Sequence, residues 1–128
     1  MKLMYFILCL ISINTFSQGR FEFKTVDKRT PTGWDIIDLP GDVVFEETEN
    51  GNTISIITSR RNYKMYVKTN NIFVREYNFL YTLIDDDGDE SSVRIILKNG
   101  SWEEADFYFY SDRPGEKYFR LKLKKCKY

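Results

Sequence analysis

The stretch VRIILKNGSWEEADFYFY, Val93 to Tyr110, reads as two strands and the turn that joins them. Val93, Ile95 and Leu97 alternate with Arg94, Ile96 and Lys98. A period of two sends the first set to one face of a strand and the second to the other. Asn99-Gly100 then accepts the positive φ angles of a type I′ turn, the strongest short-range sign of a hairpin. On the return strand Phe107 and Phe109 are predicted to point inward, and Tyr108 and Tyr110 outward.

The same alternation recurs on both sides of this hairpin. Phe21, Phe23 and Thr25 alternate with Glu22 and Lys24, and Tyr63, Met65 and Val67 with Lys64, Tyr66 and Lys68. Near the end of the chain Phe119, Leu121 and Leu123 alternate with Tyr118, Arg120, Lys122 and Lys124. Strands apolar on one face and wet on the other belong to antiparallel sheets. Turn residues separate them at Asn50-Gly51, Asn70-Asn71, Asp87-Gly88 and Pro114-Gly115, while Pro31-Thr32-Gly33 and Pro40-Gly41 bracket Trp34–Leu39.

The expected fold is all-β, a single antiparallel meander of about eight or nine strands. It would close as a small β-barrel or stack as a two-sheet β-sandwich. Ile72–Ile84 is long for one flat strand, and its apolar parity slips between Val74 and Tyr77. A bulge or bend near Arg75-Glu76 would reconcile the halves. Trp34 and Trp102 are expected to plug the core or cover its end.

The first residues read differently. Lys2 precedes an apolar run from Leu3 to Ile13 broken by Ser12, and small residues follow at Thr15 and Ser17. That order predicts a cleaved signal peptide over residues 1–17, leaving one β domain over 18–128. The run is too short for a membrane helix, which needs roughly 20 apolar residues. Cys9 lies inside the run after Leu8, where a lipoprotein leader would place a small residue. The domain is therefore expected to be exported, periplasmic or extracellular, and not membrane-spanning after cleavage.

Without Lys2 the domain carries 18 basic and 19 acidic side chains, a net charge of −1. Such balance gives no global field for nucleic acid. Cys126 is the one cysteine outside the leader, so no disulfide can form within the domain. The sequence has 0 histidines, which removes His-based triads and most zinc and copper chemistry.

Three clusters remain. Asp85, Asp87, Asp89 and Glu90 belong to an acidic run that a hard cation such as Ca²⁺ would relieve. The run lacks the glycine and distal glutamate of an EF-hand loop, and its flanks read as strands, so a solvated hairpin tip with no cofactor is preferred. Glu46, Glu47, Glu49, Glu76, Glu103 and Glu104 could supply the two acids of a glycosidase. Tyr66, Tyr108, Tyr110, Tyr118, Arg120 and Lys122 are predicted to interleave tyrosine and basic side chains on an outer sheet surface. The leading expectation is a non-enzymatic binding module that presents this surface to a protein partner. The alternatives are a small-ligand or glycan-binding barrel and a carboxylate-only hydrolase.

Overall fold

The computed structural model describes residues 19–49, 51–68, 72–75, 78–111 and 118–126, with the backbone alone at 72–75. They form β1 (Gly19–Thr30), β2 (Gly33–Thr48), β3 (Gly51–Thr58), β4 (Asn62–Val67), β5 (Ile72–Arg75), β6 (Asn78–Ile84), β7 (Glu90–Lys98), β8 (Ser101–Ser111) and β9 (Tyr118–Lys125). All pair antiparallel in the order β4-β3-β2-β1-β9-β8-β7-β6-β5, and β4 also pairs with β6. That last pairing, Tyr66 to Ile84 and Val67 to Leu83, closes eight strands into a ring. The protein is a meandering β-barrel with a single sheet, so the sandwich is set aside.

Local chemistry explains the path. Asn99 and Gly100 hold φ of 55° and 70°, the left-handed pair that a type I′ turn requires. The Thr30 hydroxyl donates to the Gly33 carbonyl at 3.1 Å across the turn between β1 and β2. The Thr58 hydroxyl accepts from the Arg61 amide at 3.0 Å and donates to the Arg61 carbonyl at 3.0 Å, pinning the turn between β3 and β4.

Alternation fills the ring. Phe21, Val43, Phe45, Ile54, Leu83, Val93, Ile95, Phe107 and Leu121 are each at most 2% exposed. At the lower end, Trp102 of β8 reaches Phe21 of β1, Phe45 of β2 and Phe79 of β6, with ring centroids 5.7–6.0 Å away. Those contacts cross the bore and seal it. Glu22, Lys24, Glu46, Lys64, Arg94, Lys122 and Lys124 cover the outside. An apolar inside and a charged outside reverse the pattern of a membrane-spanning barrel.

The structure departs from the sequence expectation at three places. Ile72–Ile84 is not one bent strand: β5 and β6 are a hairpin, with Ile72 opposite Leu80 and Arg75 opposite Asn78. The parity slip in the sequence therefore marks a reversal. In β1 the inward alternation through Phe21 and Phe23 does not continue to Thr25. The register shifts there, and Val26, Lys28 and Thr30 face the interior instead. Trp34 lies on the outer face, not in the core. The leader at 1–17, Asn50, Asn70-Asn71, Glu76-Tyr77 and Pro114-Gly115 lie outside the described residues.

Gly41 sits where the register of β1 and β2 shifts. A Cβ there would lie 2.4 Å from the Ile57 carbonyl oxygen and 2.5 Å from the Phe23 ring, so only glycine lets β2 pass.

Tyr81 is 2% exposed, and burial pushes its phenol from 10.0 up to about 12. The unfolded chain thus releases this proton before the folded one, and the stability held below pH 10 is lost as pH rises toward 12. Urea titrations across that window should show a fall of about 2–3 kcal/mol that Tyr81→Phe abolishes. An equal loss in Tyr81→Phe would assign the effect elsewhere.

Candidate functional site

At the upper end, where the turns from β1 to β2 and from β3 to β4 lie, the bore is hollow. A cavity of about 620 Å³ opens there. Its floor is Phe23, Ile56 and Leu121, each at most 3% exposed. Val26, Ile37, Leu39, Tyr63 and Phe119 form the wall. Phe119 stacks on Phe109 of the adjacent strand, with centroids 4.6 Å apart and an angle of 22°. That stacking keeps both rings along the wall, whereas Trp102 crosses the bore at the other end.

The rim is charged. Lys28, Arg29, Arg60 and Arg61 line it against one carboxylate, Asp35, among the described residues. Lys28 and Asp35 are direct partners across β1 and β2. Arg60 and Arg61 stand on the turn that Thr58 pins. Arg61 donates to the Tyr63 hydroxyl at 2.7 Å, and its guanidinium lies 5.7 Å from that ring. The hydrogen-bonded turn and the aromatic support fix where this charge stands before any ligand arrives.

The predicted tyrosine and basic residues divide between places. Tyr108, Tyr110, Tyr118, Arg120 and Lys122 share the outer face of β8 and β9, where Tyr110 and Tyr118 meet edge to face at 4.5 Å. Burial pushes the Tyr110 phenol up. Tyr118 also borders the cavity. Tyr66 lies on β4, beneath Lys64 at 6.0 Å, and is not part of this group.

Next to the tyrosines the structure adds Ile36, Asp27 and Arg94, which sequence reasoning missed. Ile36, Asp27, Arg120, Tyr108 and Arg94 are successive cross-strand partners over β2, β1, β9, β8 and β7. Asp27 is only 3% exposed although it faces outward. Arg120 donates to its Oδ2 from Nε at 3.0 Å and from a terminal nitrogen at 2.8 Å. The Arg120 guanidinium in turn lies 4.5 Å from the Trp34 ring. The hydrogen bond to Asp27 is the largest influence raising the Arg120 pKa. The shifted parity of β1 is what turns Asp27 outward.

Asp85, Asp87 and Asp89 bring carboxylate oxygens within 4.8 Å of one another. Asp85 Oδ1 accepts from the Asp87 and Asp89 amides, each at 3.0 Å, so this carboxylate shapes the turn. Glu90 is ion-paired with Lys68. Glu46, Glu47, Glu49, Glu103 and Glu104 are exposed, and none of them lines the cavity. The half-buried Cys126 thiol is pushed up by burial and then by Asp42 and Glu22, which keeps it protonated and slow to react.

Compared with known protein families, curated proteins and solved structures, the chain matches none.

Removing Arg120 leaves the Asp27 carboxylate buried and unpaired. Arg120→Ala should cost about 2–3 kcal/mol in urea unfolding, whereas Asp27→Leu combined with Arg120→Met should recover most of it. A loss in Arg120→Ala no greater than about 0.5 kcal/mol, the scale of exposed pairs, would show that water screens the bridge.

Proposed function

We propose that the protein is a binding barrel, exported after loss of residues 1–17, that takes a small, mainly apolar ligand into its upper end. The observation that carries this reading is the 620 Å³ hollow above a packed floor. Pockets for small ligands span about 300–1,000 Å³ and combine apolar walls with a few placed polar groups. An eight-stranded barrel is just wide enough to be filled by side chains or to hold one small ligand. This barrel supports both uses: aromatic rings occupy the lower half, and the upper half is left open. The carboxylate-only hydrolase gains no support, because the described lining holds one acid where that chemistry needs two.

A neutral N-phenylnaphthylamine probe should bind saturably and be displaced by linear alcohols. Each added methylene should tighten displacement about fourfold, from roughly 0.8 kcal/mol per buried CH₂, until the hollow is full. Leu39→Trp, filling the hollow from its wall, should abolish probe binding and keep the far-ultraviolet signature of a β protein. Folded Leu39→Trp that binds the probe as well as wild type would refute the site.

A second reading keeps the outer face as a contact for a protein partner. Ile36 and Tyr118, 72% and 46% exposed, are large apolar side chains left in water beside Trp34, Arg120 and Tyr108. Aromatic and arginine side chains so grouped are those that anchor protein interfaces. The tagged protein recovered from the cell envelope should begin at Gln18 and retain an acidic protein partner. Tyr108→Ala with Tyr118→Ala should release that partner, and retention by the double variant would remove this reading.

A further inference from the structure

We propose that the upper edge of β2 docks an extended segment of a partner protein, which adds to the sheet as one more strand and lowers an apolar side chain into the hollow; this rests on the hollow being a binding site, as read above. The ladder between β2 and β3 runs from Thr48–Gly51 only as far as Gly41–Thr58, yet β2 itself begins at Gly33. Beyond Thr58 the chain turns away through Arg60-Arg61 into β4. From Trp34 to Asp38, β2 is therefore paired with β1 on one side, while its other edge meets no strand among the described residues. No backbone hydrogen bond from a turn or loop reaches that edge among the described residues either. Every second peptide group there directs its N–H and C=O away from β1. Such a row is a template for one further strand.

Both faces beside this edge suit an apolar guest. Ile37 and Leu39 line the hollow, and Ile36 faces outward with 72% of its surface in water. A residue of the added strand opposite Ile37 would hold its Cβ roughly 5 Å away on the same face, and so at the mouth of the hollow. One large apolar side chain there enters the space that Val26, Ile56 and Phe119 surround. The residues on either side of it point outward and cover Ile36. A small molecule can fill the hollow but has no backbone to offer the edge, so the occupant that uses both is a polypeptide. A second copy of this chain fits poorly. Edge-to-edge pairing would crowd Asp35 and Asp38 of each copy along one short ladder, where like charges repel. Pro40, with no N–H to give, ends the edge below.

The test uses a short labelled peptide in which valine alternates with threonine about one central phenylalanine, with lysine at each end. It should bind saturably, displace the neutral naphthylamine probe, and slow amide exchange at alternate residues of Trp34–Asp38. N-methylation of alternate backbone amides tells the two edges of the peptide apart. One alternate set should weaken binding about tenfold or more by removing two or three hydrogen bonds, and the other should leave it within about twofold. Equal affinity of both methylated peptides and the parent would show that a side chain alone is held, with no added strand. A dimer of the free protein in sedimentation that Ile36→Lys dissolves would give the edge to a second copy instead. A peptide that fails to bind where the naphthylamine probe binds removes the docked strand and keeps the hollow. Failure of both removes the binding-barrel reading as well.

Discussion

Closure of eight strands into one ring is the constraint from which the rest follows. In an open sheet, a side chain on the far face meets water or a second layer. In a closed ring every inward residue shares one narrow bore with the inward residues of all the other strands. Occupancy of that bore then depends on how far each side chain reaches. Trp102 reaches three other strands and seals the lower end. In the upper half Val26, Ile37, Leu39 and Ile56 are short, and Phe119 is stacked along the wall against Phe109. The hollow is the direct consequence of that distribution of sizes.

The closure also makes the irregularities of β1 consequential. The register shifts against both β2 and β9 near Lys24 and Thr25 exchange the inner and outer faces of the strand's second half. Val26 and Lys28 enter the bore, and Asp27 is sent outward to Arg120. A charge turned to the outer face would ordinarily be solvated, yet Arg120 and the tryptophan beside it cover this one. Gly41 is part of the same event, since a side chain there would collide with the Phe23 ring and the Ile57 carbonyl. One local change in pairing thereby sets both Lys28 at the rim inside and the Asp27–Arg120 ion pair outside.

This explains which features were legible in the sequence. The period of two in Val93–Tyr110 and Tyr118–Leu123 gave the strands, and Asn99-Gly100 gave the hairpin, because those signals are local. The inward phenylalanines and outward tyrosines of β8 followed from the same rule. Trp34 and Asp27 were not legible, because their faces depend on a register shift that no single strand reveals. Ile72–Ile84 misled for a related reason: a parity slip looks the same whether a strand bends or reverses, and only the partner of Leu80 decides. The cavity could not be read at all from one strand, since its lining comes from β1, β2, β3, β4 and β9 together. A partial sign was present in Trp34–Leu39, where Ile37 and Leu39 alternate with charged or exposed residues just before Pro40-Gly41.

The two surfaces are linked through β1 and β9. Lys28 lines the rim, and its neighbour Asp27 holds Arg120 outside; Phe119 walls the hollow, and its neighbour Arg120 grips Asp27. Alternation places the paired residues back to back on the same strands, and Asp27–Arg120 and Lys28–Phe119 are consecutive rungs of one ladder. The half-buried ion pair therefore fixes the spacing of two strands at the level where the hollow begins. A ligand that parted β1 from β9 would have to strain that bridge. It stiffens this wall of the hollow.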